Sequence, residues 1–390
     1  MNRILTRASV FGCLLSISIA PVYAQENYKE ISKEDITKVY RANGNFYAVP
    51  DYSVSFPPKK RPKNIIVMIG DGMGLAQVYA GMTANGGRLF LDNFKNVGFA
   101  RTHSGDNYVT DSAAGGTALS TGVKTKNDVI GLDINYDTLQ NVRELAQQRG
   151  KATGVLSTSA ITHATPASFL AHRKSRSYYE DIALDITNSG VDVFIGGGYK
   201  HFTKRADDKD LTVDLKKKGY QVLRTIEEVA AVKDGKVAGL LAPEHTDRLE
   251  KRGNILPVAT KTAIDILSKD KDGFFLMVEG SQIDWGGHQN NVPYIVEEMT
   301  DFDRAIGVAL EFAAKNKETL IIVTADHETG GLAIANGNLK NGTVNGLFPT
   351  GGHTAIPVPV FSFGPGANRL TGFMENTDIA NIVKEFLNRK

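Results

Sequence analysis

Five segments of this 390-residue chain carry side chains able to do polar chemistry, and each stands beside a short apolar run. NIIVMIG (64–70) leads into Asp71-Gly-Met-Gly, and GFFLMV (273–278) leads into Glu279 and then Asp284-Trp285-Gly-Gly-His288. TLIIVTA (319–325) leads into Asp326-His327, and ATGVLST (152–158) leads to His163-Ala-Thr165. GGHT, with His353, stands just before PVPVFSFG (357–364). Mixed carboxylates and imidazoles suit Zn²⁺ in near-tetrahedral geometry. An all-oxygen set that includes a hydroxyl suits Mg²⁺. Taken singly, Asp71 reads as a turn residue before glycine and His353 as a surface loop histidine. Together, buried carboxylates in this number repel one another and rise in pKa unless cations neutralise them. A metal cluster is therefore the expectation.

A second kind of chemistry is written in VTDSAAGGTALSTG (109–122). Asp111 or Ser112 there can cap a helix whose first turns are Ala and Gly. Ser112 can also be a nucleophile presented at that helix N-terminus, where free N–H groups and the helix dipole favour an anion. The stretch alone does not separate the two readings.

The elements that must position these residues alternate. The apolar runs, with VDVFIGG (191–197), are rich in β-branched or aromatic residues and read as strands buried on both faces. Between them lie segments such as TLQNVRELAQQRG and EMTDFDRAIGVALEFAAKN, with apolar spacing near 3.6 and Gly or Asn at their ends. The expected fold is α/β, a three-layer αβα sandwich with a large, mostly parallel central sheet. In such sheets ligands gather beyond the carboxyl ends of the strands, where the acids and histidines fall. One catalytic domain is expected over 63–390, with a surface insertion around 200–260, and residues 25–62 as an N-terminal extension.

Residues 1–24 read as a secretory signal peptide: Arg3 and Arg7, then VFGCLLSISIA, with cleavage after Ala24. The apolar run is too short to span a membrane. The one cysteine lies inside this segment, so the mature chain forms no disulfide. Export is the expected fate, to the periplasm in a diderm host. The formal net charge is +2 and no long basic run occurs, which argues against nucleic acid as a partner. His103, His172, His201 and His245 read as surface or loop residues.

The motifs Ile69-Gly-Asp-Gly-Met-Gly74, Val109-Thr-Asp-Ser-Ala-Ala114, Val278-Glu-Gly-Ser-Gln-Ile-Asp-Trp-Gly-Gly-His288, Thr324-Ala-Asp-His327 and Gly351-Gly-His-Thr354 occur in that order. Together they resemble those of bacterial alkaline phosphatases, metal-dependent phosphomonoesterases. The resemblance runs from about residue 64 to the C-terminus. It implies one zinc on Asp284, His288 and His353, a second on Asp71, Asp326 and His327, and a magnesium on Asp71, Thr165 and Glu279. It implies Ser112 as the nucleophile, phosphorylated and then hydrolysed, and Arg176 as the phosphate clamp, with Arg173 close enough to compete. Asp111 is expected to orient that arginine. Two positions depart from the enterobacterial pattern: His163 stands where it has an aspartate, and Trp285 where it has a lysine. Other bacterial members carry this His/Trp pair. Losing an acid at 163 is expected to weaken the hold on Mg²⁺, and both residues are expected to face substrate. The implied partners are small phosphate monoesters and a second copy of the chain in a homodimer. A phosphodiesterase or nucleotide pyrophosphatase of the same superfamily is the alternative, disfavoured by Glu279 and Arg176. An inert secreted phosphate- or metal-binding protein is the other.

Overall fold

The computed structural model describes residues 37–57 and 60–388. The signal peptide reading falls outside them, as does much of the expected extension.

The apolar runs form strands because each of their residues can be hidden. All seven residues of Asn64–Gly70 and of Phe274–Gly280 are buried, as are all six of Thr319–Thr324. Uninterrupted burial of this kind marks strands covered on both faces. The central sheet has ten strands, numbered here in chain order: β1 Asn64–Gly70, β2 Asn96–Arg101, β3 Ala152–Ala160, β4 Val193–Gly197, β5 Tyr220–Leu223, β6 Lys236–Leu240, β7 Phe274–Gly280, β8 Thr319–Thr324, β9 Val358–Phe363 and β10 Gly372–Glu375. Their order across the sheet is β10-β2-β9-β8-β1-β7-β3-β4-β6-β5. Only β9 runs antiparallel to its neighbours.

Helices cover the sheet in two groups. One centres on Val292–Asn316, which packs on Leu75–Ala84, Ile255–Leu267 and Gln282–His288. The side chain of Asn291 caps its start by accepting from the N–H of Tyr294, and Lys317 ends it in the left-handed region. The other group contains Ser112–Thr121, Val142–Gln148 and Asn376–Asn388. The expected α/β architecture with a mostly parallel sheet is what forms.

Register then delivers the acids to one place. Ile69 on β1 is level with Glu279 on β7 and Thr324 on β8, and Ser157 on β3 is level with Glu279. The chain therefore leaves β1 into Asp71 and β8 into Asp326 at the same height. A two-stranded ribbon, Glu328–Thr329 with His353–Thr354, pairs Thr329 with His353 and carries the last histidine inward.

Residues 200–260 are not an insertion on the surface. They supply β5 and β6, which complete one edge of the central sheet. Their charged composition hid this because β5 is an edge strand with one buried residue, Tyr220. The same segment is bolted to the core by Arg252. Its guanidinium donates to both carboxylate oxygens of Glu298 at 2.8 and 2.6 Å and to Asp301 Oδ2 at 2.7 Å, all three side chains being buried. Burial pushes Asp301 up to about 6 even against the arginine. The expected extension lies on the body where it is described: Val39–Tyr40 pairs with Thr343–Leu347, and the Tyr47 hydroxyl donates to Asp303 at 2.7 Å.

Breaking a buried ion pair by removing one partner strands the other charges. Arg252→Met is expected to cost about 3–5 kcal/mol of stability, read by urea unfolding. A loss under about 1 kcal/mol, the level of an exposed pair, contradicts this account.

Candidate active site

The helix Ser112–Thr121 begins at the mouth of the sheet's carboxyl end, and its cap is Asp111. Asp111 Oδ1 accepts from the N–H of Ala114 at 2.9 Å, and Oδ2 accepts from the N–H of Asp128 and from Arg176 Nη1, each at 3.0 Å. The Ser112 hydroxyl is thus free of capping duty and lies 3.2 Å from His327 Nε2. The small residues behind it have a reason. A Cβ on Gly115 would stand 3.0 Å from that of Asp326, so the acid-bearing loop can lie against the helix only over glycine.

Around Ser112 the ligand-type residues converge. Three groups bring one donor atom per residue within 4.8 Å of one another: Asp284, His327 and His353; Asp71, Asp326 and His327; Asp71, His163 and Glu279. The second group is the expected one. In the first, His288 stands alongside as expected, its Nε2 3.3 Å from Asp284 Oδ2 and 3.2 Å from His353 Nε2. His353 Nε2 is 3.6 Å from Asp284 Oδ1. In the third, Thr165 Oγ1 is 3.5 Å from Asp71 Oδ2, and His163 joins the two acids.

Backbone turns hold the acids in place. Asp326 Oδ1 accepts from the N–H of Gly72 at 3.3 Å and of His327 at 3.0 Å, which aims Oδ2 elsewhere. Gly72 has φ +72°, and a Cβ there would sit 2.7 Å from the Asp284 Cα. No other residue lets the turn carrying Asp71 and the helix carrying Asp284 approach so closely.

Hydrogen-bond accounting fixes the imidazoles. His288 Nδ1 faces the carbonyl of Gly351 at 2.7 Å, and His353 Nδ1 faces that of Thr110 at 2.9 Å. Carbonyls only accept, so both rings carry a proton on Nδ1 and, when neutral, turn Nε2 lone pairs toward each other. The Thr329 hydroxyl donates to Asp284 and so must accept from His327 Nδ1, at 3.2 Å. That leaves the His327 Nε2 lone pair facing Ser112, Asp326 and Asp71, 3.2, 3.3 and 3.5 Å away. Asp71 Oδ1, Asp326 Oδ2 and Glu279 Oε1 are buried with no hydrogen-bond donor among the described residues. Buried, donorless carboxylate oxygens and converging lone pairs are a donor set that fits divalent cations.

The electrostatics carry the same strain. Burial, followed by the charges of Asp326, Asp284 and Glu279, pushes Asp71 well above the carboxylate range. Burial and then Asp284 push Asp326 up to about 7, and burial raises Glu279. Burial also acts upward on Asp284, but His288, His327 and His353 outweigh it and hold that carboxyl below its usual range. The Asp284 hydrogen bond lifts His288 to about 9. Burial and the neighbouring Arg176 lower His163 to about 3.

Arg176 stands at the site and Arg173 does not. Arg176 Nη2 lies 3.3 Å from His163 Nε2 while Nη1 holds Asp111. Arg173 instead grips both oxygens of Asp185 at 2.8 and 2.5 Å. Trp285 packs edge-on against His163 with ring centroids 6.3 Å apart. Sequence reasoning missed two residues. His245, read as a loop histidine, packs 4.8 Å from Trp285 and 5.5 Å from His163, its Nδ1 accepting from the N–H of Ala160. Thr329 links the Asp284 and His327 groups. Its place two residues beyond His327 in an extended segment was the only available signal.

A serine at a helix start beside carboxylates and imidazoles that fit cations, on a mostly parallel α/β sheet, is an arrangement suited to metal-assisted hydrolysis. The alkaline phosphatase family model matches residues 62–347, and the chain belongs to that family. It is 37% identical over 415 aligned positions to alkaline phosphatase 4 of Bacillus subtilis, covering 84% of this chain and 89% of the relative. It is 31% identical to the alkaline phosphatase of Escherichia coli, with 85% and 87% covered. Among solved structures, the alkaline phosphatase of the Antarctic bacterium TAB5 is 43% identical with a TM-score of 0.80, covering 85% of this chain and all of that one. A TAB5 variant solved with Mg bound in its M3 site matches at 42% and the same TM-score. The chain is a phosphatase with metal-binding residue groups.

Without a cation the folded chain holds a proton on Asp326 that the unfolded chain releases above its ordinary pKa near 4. The contribution of Asp326 to stability is therefore full below about pH 4 and is lost as pH rises toward about 7. The unfolding midpoint of chelated protein should fall across this window, while metal-supplemented protein should not show the fall. Parallel curves for the two samples would contradict it.

Proposed function

We propose that this phosphatase hydrolyses small phosphate monoesters through a phosphoserine on Ser112. The observation that carries this is the 3.2 Å approach of Ser112 Oγ to His327 Nε2, inside the group formed with Asp71 and Asp326. The groups Asp284, His288, His353 and Asp71, Asp326, His327 would hold two zinc ions, and Asp71, Thr165 and Glu279 would hold a magnesium. Bound there, the cations supply acidity to the serine hydroxyl and to water and offset charge on the leaving oxygen.

The chain's own residues do the rest. Ser112 Oγ attacks phosphorus in line, and the ester oxygen departs with the substrate alcohol. The Arg176 guanidinium, held by Asp111, is a fork suited to two non-bridging oxygens. The N–H groups at the start of Ser112–Thr121 face the same anion. Water then attacks phosphorus from the side the alcohol left, the P–Oγ bond breaks, the oxygen stays on Ser112 and regains a proton, and phosphate leaves carrying the water oxygen. Trp285, His163 and His245 form an aromatic wall against which the alcohol portion can rest. Two in-line steps require retained configuration at phosphorus.

Residues 1–24 as an export signal, the single catalytic domain, and a homodimer belong to the same proposal. They rest on the sequence pattern and on the resemblance to the family. Among the described residues no helix is long and apolar enough to cross a membrane.

Nitrophenyl phosphate monoester and the matching diester, each assayed with and without chelator, test the reading. The monoester should be the better substrate and chelation should abolish its turnover. Ser112→Ala should lose on the order of a thousandfold or more in kcat. Faster diester cleavage moves the chain to the diesterase branch, and inversion at phosphorus removes the phosphoserine.

A further inference from the structure

Glu279 is fully buried, and its two oxygens have opposite fates. Oε2 accepts from Ser157 Oγ at 2.6 Å and Ser281 Oγ at 2.7 Å, with Ser159 Oγ at 3.5 Å. Oε1 has no donor among the described residues. The three serines are themselves buried and touch: Ser157 Oγ is 2.7 Å from Ser159 Oγ and 3.0 Å from Ser281 Oγ.

Proton counting orients this cluster. A hydroxyl has one proton, and a carboxylate only accepts, so Ser157 and Ser281 each spend theirs on Oε2. The Ser159 hydroxyl stands between Ser157 Oγ and the Ala160 carbonyl, 2.7 and 3.2 Å away, and the Ser157 oxygen also accepts from the Ser159 N–H at 2.9 Å. The backbone supports the arrangement. Ser157 lies level with Glu279 across the β3–β7 pairing, and β3 slips its register with β4 between Leu156 and Ala160. Ser281 is anchored through its own N–H to Thr158 Oγ1 at 2.9 Å.

We propose that Ser157 and Ser281 are positioning residues that pin one oxygen of Glu279, so that the other is presented to a divalent cation as a single directional ligand. The proposal rests on the reading of Glu279 as a cation ligand advanced above. Without these hydroxyls the carboxylate can rotate about its last torsion, which is soft. The acid count at the site stays the same, yet the ligand no longer arrives preorganised. Outer-shell partners of metal ligands commonly act in this way, and their loss costs about 10–100-fold in metal affinity.

The experiment titrates Mg²⁺ calorimetrically into the zinc-loaded full chain and records the rise in unfolding midpoint that Mg²⁺ produces. Ser281→Ala and Ser157→Ala are each expected to weaken Mg²⁺ by about 10–100-fold and to shrink the Mg²⁺-dependent rise, with little change in the midpoint measured without Mg²⁺. Affinity within twofold of the parent overturns the proposal. So does a midpoint lowered equally with and without Mg²⁺, which is the signature of a purely structural role. If Ser157→Ala does not fold, Ser281→Ala, whose backbone anchor survives, decides alone. Glu279→Gln is run in parallel. If it removes Mg²⁺ binding while the serine variants do not, only the positioning role fails. If it too leaves Mg²⁺ affinity unchanged, the reading of Glu279 as a ligand falls, and the positioning role with it.

Discussion

Mutual repulsion among Asp71, Asp326, Glu279 and Asp284 is the constraint around which this molecule is arranged. All four acids are buried at the carboxyl ends of adjacent strands or in the segments that follow, Asp284 in the helix Gln282–His288. Removing one carboxylate from water is costly, and gathering several multiplies the cost. Among the described residues no arginine lies between them, since Arg176 is held at one side by Asp111. The set is balanced either by protons held on the carboxyls or by cations, and any cation bound there contributes to folding stability. The buried Arg252–Glu298–Asp301 cluster shows the other solution, in which the protein supplies its own cation and no site results.

Repulsion alone would scatter the acids, so each is held by groups that use one oxygen and leave another. Backbone N–H groups hold Asp326, hydroxyls hold Glu279, and Thr329 holds Asp284. The imidazoles follow the same rule, with carbonyls or Thr329 taking Nδ1 and leaving Nε2 directed inward. This common device converts an unfavourable cluster into preorganised donors. Ser112 gains from it without being altered itself. The helix cap is its neighbour Asp111, so its hydroxyl is not spent on capping.

Much of this was legible along the chain. The apolar runs announced the central strands because burial on both faces admits few polar residues, and the parallel topology followed from their alternation with helices. Asp71, Asp326 and Glu279 were legible because they directly follow or end such runs. The edge strand β5, residues 220–223, was not. An edge strand buries too little to differ from a charged surface segment, and β5 hides one side chain of four. His245 escaped because its partners, Trp285 and His163, lie 40 and 82 positions away in sequence. The serine cluster escaped for a similar reason. Ser157 and Ser281 are ordinary residues until two strands distant in sequence are paired in register.

The ligand types, their order and the helix start at Ser112 were therefore local properties, set by residue chemistry and by which residues follow a buried strand. Tertiary structure decided which of two close arginines faces the site, which oxygen of each carboxylate remains free, and which nitrogen of each imidazole carries the proton. Those choices depend on single hydrogen bonds between groups far apart in sequence. Composition and spacing place a side chain at a strand end, but only its packed neighbours determine where its lone pairs point.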